Sequence, residues 1–388
     1  SATVLLLVTH YFIYRSVVSA LDVTHLRSRV TLLLVFMALA LSIPLAMLAH
    51  RLHGDAIART VHTLSSFWLG LALHLVFFLA LGWAAHGISR LVGRPLAMGA
   101  AVSLAAVLAF SASLYGLWNA NHPVVTSLEV EISELPESWE GRTVVQLSDV
   151  HLGSVHGRRF LRHVVEMVNA LDPEAVFITG DLLNGSSSDL DRFEDLLDAL
   201  QARRGVFFVT GNHESYARLT TSLEFLKQTK IRVLDDECIE MDGLQVVGIG
   251  FPWFSKKRAS LNPFDRDGCH RPEKPSILLY HTPTDVRERF ADRDTQQVRS
   301  YFAPNTSFAF AAEAGVDLQL SGHTLAGQMF PVGILLRILW NGFDRGLHRI
   351  GDFTHYVSSG TGTWGPPVRT GSRSEIVAIT LRKRRRSD

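Results

Sequence analysis

Asp149 and His151, Asp181, Asn212 and His213, His281, and His323 each follow a short apolar, strand-like run, directly or across a single glycine. Carboxylate, amide and imidazole groups are the side chains that hold divalent cations, and two Asp, one Asn and several His suit Mn, Fe or Zn better than Ca or Mg. The runs are Val144–Ser148, Ala175–Thr179, Val206–Thr210, Ile277–Tyr280 and Leu318–Ser321. Short apolar runs that end in turn signals suit buried strands, and in layered α/β folds ligands collect at the carboxyl ends of the strands. Five loops are therefore expected to converge on one rim. A single carboxylate shared by two cations holds them roughly 3.5 to 4 Å apart, and Asp181 is the expected bridge.

The elements that must position these residues are legible from periodicity. Apolar residues at three and four spacing mark helices over Arg158–Asn169, Leu190–Ala202 and Thr221–Lys227, between the strands. Leu244–Gly250, Tyr356–Ser359 and Ile376–Leu381 read as further strands, and alternation over Val125–Ile132 reads as an edge strand within a connector, residues 121–142. The chemistry-bearing part is thus an α/β sandwich over residues 143–381.

The front of the chain is different. No Asp, Glu, Lys or Arg occurs over Val30–His50, Thr60–Ser89 or Pro95–His122, and each stretch exceeds the roughly 20 helical residues that cross a bilayer core. Ala2–Leu21, broken only by Arg15, is a fourth candidate, giving a transmembrane region over residues 1–120. Arg15, Arg27 and Arg29 lie between the first two spans, Arg51 and Arg59 between the next two, and Arg90 and Arg94 between the last two. Placing the first and third groups inside puts the catalytic domain outside the cytoplasm, as an integral protein of a bacterial inner or cytoplasmic membrane. The basic run Arg382–Arg386, within a tail of residues 382–388, reads as a solvated, disordered end. A net charge of +1 with no basic, aromatic-laced stripe argues against a nucleic-acid partner. Cys238 and Cys269 match no C-x-x-C pattern and read as two free structural thiols, pairing being the alternative for an exported domain.

The ordered segments Asp149-Val150-His151, Gly180-Asp181, Gly211-Asn212-His213-Glu214, His281 and Gly322-His323-Thr324-Leu325 resemble the five motifs of the calcineurin-like metallophosphoesterases, D-x-H, G-D, G-N-H-[DE], H and G-H-x-H. The stretches Gln146–Gly153, Ala314–Gln328 and Ser358–Pro367 are similar to the YkuE/YaeI-like membrane-associated bacterial branch. The resemblance covers roughly Pro123 to Leu381 and implies a four-layer α/β/β/α sandwich behind the helices. It implies two divalent ions, the first on Asp149, His151 and Asp181, the second on Asp181, Asn212, His281 and His323. It further implies His213 as the acid that protonates the leaving oxygen, and a metal-activated hydroxide that attacks a phosphate ester in a phosphodiesterase or pyrophosphatase reaction.

The last motif departs from the family, because Leu325 stands where a second ligating His is usual. The first site is then weak, completed by water, or rescued by a group such as His156. The alternative reading is a metal-binding relative without turnover, serving as a membrane binding or scaffold protein. Glu214 either orients His213 or opens the following helix. Two apolar insertions, Phe251–Phe254 and Met329–Trp340, would touch a membrane or an acyl chain, making a phospholipid or lipid-linked phosphate the substrate class, or else pack on the sheet. His163, His270, His348 and His355 read as surface or packing residues.

Overall fold

The computed structural model describes residues 2–184, 190–216, 219–251, 263–264, 269–287 and 304–384. Pro252, Trp253 and Phe254 of the first insertion, and Arg385 and Arg386 of the basic tail, lie outside the described residues. The chain divides into two compact units, one of residues 1–120 with 365–370, the other of residues 121–364 with 371–388.

Four helices form the first unit: α1 (Ala2–Ala20), α2 (Leu26–His53), α3 (Ala56–Leu91) and α4 (Met98–Asn121). All four are long and apolar enough to cross a membrane, as expected from their lack of charge. Leucine and valine make up most of the large apolar side chains on their outward surface, which a bilayer solvates and water does not. The turn between α2 and α3 needs only two residues. Gly54 closes α2 in the left-handed conformation at φ 63°, and the Asp55 side chain accepts from the Ala58 amide to open α3.

Residues 365–370, which the sequence places within the sandwich, group instead with these helices. Small residues explain the fit. A Cβ on Gly70 would stand 2.7 Å from Val368, and one on Gly116 would stand 3.1 Å from the same side chain. His74 lies 2.8 Å from the Ser113 hydroxyl and 3.0 Å from the Thr370 hydroxyl, and the Asn119 amide donates to the Arg369 carbonyl at 2.9 Å. Small residues that admit a close backbone, with side-chain hydrogen bonds across helices, are how apolar bundles gain specificity.

Among its described residues the second unit holds twelve strands: β1 (Val124–Ile132), β2 (Thr143–Leu147), β3 (Ala175–Thr179), β4 (Val206–Val209), β5 (Arg232–Val233), β6 (Glu237–Met241), β7 (Leu244–Ile249), β8 (Ser276–Tyr280), β9 (Leu318–Ser321), β10 (Gly346–Ile350), β11 (Phe353–Val357) and β12 (Glu375–Lys383). They form two six-stranded sheets, β1-β12-β2-β3-β4-β5 and β10-β11-β9-β8-β7-β6. The strands that carry motif residues, β2, β3 and β4 in one sheet and β8 and β9 in the other, run parallel to their motif-bearing neighbours. β1 is an edge strand, as its alternation indicates.

Alternate residues along each strand feed different cores. Val144 and Phe177 face the inter-sheet core with Ile277 and Leu279, while Val145 and Val176 face helix α5 (Arg158–Asn169) through Phe160, Val164 and Val168. On the far side, Leu278 and Tyr280 meet Phe308 and Ala311, at the short helix Ala309–Glu313. Helix, sheet, sheet and helix therefore stack as four layers. Because both faces of each inner strand are buried, the strands read as continuous apolar runs, and each fully buried Val, Leu, Ile or Phe contributes about 1.5 to 3 kcal/mol.

Three expectations need correction. Cys238 and Cys269 are not free thiols: they form a disulfide with Cα atoms 5.3 Å apart, joining β6 to the segment before β8. Arg382 and Lys383 are not a loose tail but extend β12, where Arg382 pairs with Glu129 at 2.9 Å. Within Met329–Trp340, Val332–Leu339 is a helix with no buried residue rather than a segment packed on the sheet.

The disulfide closes a sequence separation of 31 residues, which in the chain-entropy picture stabilises by about 3 to 4 kcal/mol. Cys238→Ala with Cys269→Ala is expected to lower the unfolding free energy of the full chain by about that amount. Urea titration in detergent, with the reduced native chain alongside, measures it; equal midpoints would show that the bond does not form.

Candidate metal centre

Asp149 and His151 follow β2, Asp181 follows β3, Asn212 and His213 follow β4, His281 follows β8 and His323 follows β9. The five loops meet at one rim, spanning the carboxyl ends of both sheets. Asp149, His151 and Asp181 adopt φ values of 52°, 51° and 52°, and His323 adopts 72°. Left-handed backbone costs a non-glycine residue roughly 1 to 2 kcal/mol, so the neighbours must hold these turns in place. They do so with backbone hydrogen bonds: Asp149 N to Gly180 O at 3.1 Å, His151 N to Asp181 O at 3.0 Å, Thr361 N to Ser148 O at 2.7 Å and Gly362 N to Asp149 O at 2.9 Å. At Gly211 a Cβ would overlap Asp181 Oδ1 and stand 2.6 Å from its backbone nitrogen, so only glycine lets the third motif approach the second.

Asn212 Oδ1 lies 2.9 Å from His323 Nδ1 and 3.1 Å from His281 Nε2, which itself lies 3.3 Å from Asp181 Oδ2. His281 Nδ1 is 2.7 Å from the Thr179 carbonyl and so donates there, which turns its Nε2 toward the cluster. On the other side, His151 Nε2 lies 3.9 Å from both Asp149 Oδ1 and Asp181 Oδ2. Among the described residues, buried Asp149 Oδ1 accepts no hydrogen bond, whereas Oδ2 accepts from Ser148 Oγ at 2.6 Å and His323 N at 2.9 Å. Acceptors crowd together here with an orphaned carboxylate oxygen, an arrangement a cation would satisfy. Two groups share one residue: His151, Asp181 and His213, and Asp181, His281 and His323, the ligand atoms of each lying within 4.8 Å of one another.

Electrostatics agree with a site short of positive charge. Burial disfavours an imidazolium at His281, yet the Asp181 and Asp149 carboxylates hold its pKa up at about 10. Burial also works against ionised Asp181, but His281 and His213 keep it well below the usual carboxylate range. Burial pushes Asp149 up to about 6 even against the His281 charge. Burial lowers His213, with Asp181 opposing the shift. The His281 proton supplies charge that divalent ligation would otherwise bring.

All seven residues singled out by motif are brought together. His156 is not among either ligand group: it is buried, with Nε2 2.8 Å from the Thr363 hydroxyl and its ring 4.2 Å from Phe160. Leu325 is buried in a tight turn, Leu325–Gly327, and offers no ligand atom. Glu214 neither orients His213 nor simply opens a helix. Its carboxylate accepts from the amides of Gly211 (2.8 Å), Leu183 (3.0 Å) and Asp181 (3.1 Å), tying two motif loops together. Burial and the Asp181 charge push its pKa up to about 7. Two contributors went unread in the sequence: Gln146, whose amide bridges the sheets to Ser321 O and Thr179 Oγ1 at 2.9 Å each, and Trp364, whose ring lies 6.1 Å from His213.

A family model described as calcineurin-like phosphoesterase matches residues 142–327, which hold all five motifs. A zebrafish (Danio rerio) transmembrane protein with metallophosphoesterase domain is 33% identical over 82% of this chain and 73% of its own length. An uncharacterized metallophosphoesterase of Helicobacter pylori is 34% identical over 61% of this chain and 59% of its own, and YkuE of Bacillus subtilis is 26% identical over 66% and 85%. The chain belongs to the calcineurin-like phosphoesterases, hydrolases of phosphate esters, and with four apolar spans it is a membrane protein. It spans under two thirds of the length of some of these relatives.

Glu214→Gln would leave one carbonyl for three amides and set its own NH2 against one of them. Leaving a buried donor unpaired costs about 1 to 3 kcal/mol, and a measurable loss of both stability and Mn affinity is expected. Denaturant titration and calorimetric metal binding report these; a variant with native affinity would remove Glu214 from the account.

Proposed function

We propose that this chain is a membrane-anchored dinuclear-metal phosphoesterase, with its sandwich outside the cytoplasm of a bacterial cell, acting on a phosphate ester carried by a lipid. The observation that carries the reading is the pair of ligand groups sharing Asp181. Asp149, His151 and Asp181 would hold one ion, and Asp181, Asn212, His281 and His323 the other. A pair of divalent ions, Mn, Fe or Zn on this donor set, supplies Lewis-acid polarisation of a phosphoryl group and lowers the pKa of water. Asp181 would be shared between the two ions, His281 is fixed by Thr179 with Nε2 inward, and His213 gives a proton to the leaving oxygen. Imidazole suits that task because its ordinary pKa is near neutrality, and the Asp181 carboxylate opposes the lowering that burial imposes on His213. The sandwich's orientation is supported by the arginine bias of the loops and by the disulfide, a bond that persists in oxidising compartments. A lipid ester is supported by the exposed apolar helix Val332–Leu339, which follows the last motif.

One observation favours a second reading. His213 stands with His151 and Asp181, so with Leu325 unable to ligate, His213 is placed to complete the first ion instead of serving as the acid. Turnover would then be lost and a binding role would remain.

The full chain in detergent, loaded with Mn and assayed on a generic phosphodiester, separates the two. The native protein is expected to bind two ions and hydrolyse the ester, and His213→Gln to keep both ions while kcat falls by about 10² to 10⁴. If the native chain is inert and His213→Gln loses one ion, the second reading holds. Leu325→His is expected to tighten the first ion by 10-fold or more. Thiol trapping in intact cells tests orientation: an oxidised Cys238–Cys269 pair is expected, and a fully reduced pair contradicts it.

A further inference from the structure

Phe330, Val332, Ile334, Leu335 and Ile338 are exposed on and beside the helix Val332–Leu339, with Ile338 at 68%, and Trp364 is exposed at 58%. This surface is not a loose loop. The turn Leu325–Gly327 ties the approach to the helix to His323, and the residue after the helix, Trp340, is 2% exposed with its ring 5.9 Å from His323. Trp364 is pinned as firmly, because the Gln328 side chain accepts from its amide at 2.9 Å and donates to its carbonyl at 3.1 Å. The apolar surface is therefore built from residues fixed to the metal centre itself.

We propose that this helix lies in the lipid leaflet as an interfacial helix, so that the metal centre meets phosphate at headgroup depth. Three features select a bilayer as the occupant. Stable protein interfaces cover roughly 800 Å² on each partner, and an eight-residue helix only ~12 Å long offers a fraction of that. Trp364 is of the aromatic type that settles at the headgroup level, and Phe330 is of the type that buries on the apolar face of an interfacial helix. Arg337 and Arg345 flank the apolar side chains with their own side chains 59% and 43% exposed, and the buried Asp344 carboxylate, 3.8 and 3.9 Å away, keeps both near the helix. An apolar helix with basic residues beside it is the pattern of a surface helix attracted to anionic lipid. The four spans hold this chain at a bilayer continuously, so the apolar phase is present at high effective concentration.

The inference rests on the membrane reading but not on hydrolysis, so an inactive protein tests it equally. The two native cysteines are paired, which leaves an introduced thiol as the single labelling site. Full-length Ile338→Cys and Ile334→Cys, carrying an environment-sensitive fluorophore, are reconstituted in vesicles of phosphatidylglycerol and phosphatidylethanolamine, with the exposed Gln201→Cys as the aqueous reference. Both helix sites are expected to emit to the blue, to be quenched by nitroxides at shallow acyl positions, and to resist iodide at least about five-fold better than Gln201→Cys. Iodide quenching equal to the reference at both sites would overturn the proposal. So would a blue shift that ignores nitroxide lipid and vanishes as the protein is diluted in the membrane, since a second copy would then cover the helix.

Discussion

Everything at the rim depends on gathering acceptor atoms that repel one another. Asp181 Oδ2 and Asn212 Oδ1 both lie within 3.3 Å of His281 Nε2, and Asp149 Oδ1 is buried with no donor among the described residues. Without positive charge such a cluster costs several kcal/mol in desolvation and repulsion. The proton held on His281 offsets part of that cost. Divalent ions would offset far more, which ties metal affinity to the stability of the rim.

The rest of the sandwich supplies the force that keeps the acceptors together. Inner strands buried on both faces fix the ends of β2, β3, β4, β8 and β9, and the left-handed turns after them aim the ligands inward. Those turns are held by groups that do not ligate. Glu214 collects three amides, Thr361 and Gly362 grip the backbone of Ser148 and Asp149, and Gln146 stitches one sheet to the other. Strain at the site is thus repaid by hydrogen bonds around it, as expected where function requires sparsely populated backbone.

Much of this was legible in the sequence for a definite reason. A strand buried on both faces must be apolar throughout, so Val144–Leu147 or Ile277–Tyr280 announces itself, and the polar residue that follows stands out. The three charge-free stretches, and a fourth broken only by Arg15, announce the helices in the same way. What escaped depends on tertiary partners that leave no local trace. Glu214 acts on backbone amides of two other loops, which no side-chain pattern encodes. Cys238 and Cys269 meet only because β6 and the segment before β8 are neighbours. The helix Val332–Leu339 has the composition of a buried segment, and composition alone does not distinguish a protein core from a lipid surface. The grouping of residues 365–370 with the helices depends on Gly70 and Gly116, two glycines among 29 in the chain.

The central claim is that two ions share Asp181, with the first site formed despite Leu325. Anomalous diffraction from Mn-loaded crystals of the full chain tests it most directly, because it counts and locates the ions without requiring a substrate. Two peaks flanking the Asp181 carboxylate, one against Asp149 and His151 and the other against Asn212, His281 and His323, are the predicted result. A single peak confined to the Asn212 side, at saturating Mn, would contradict the account.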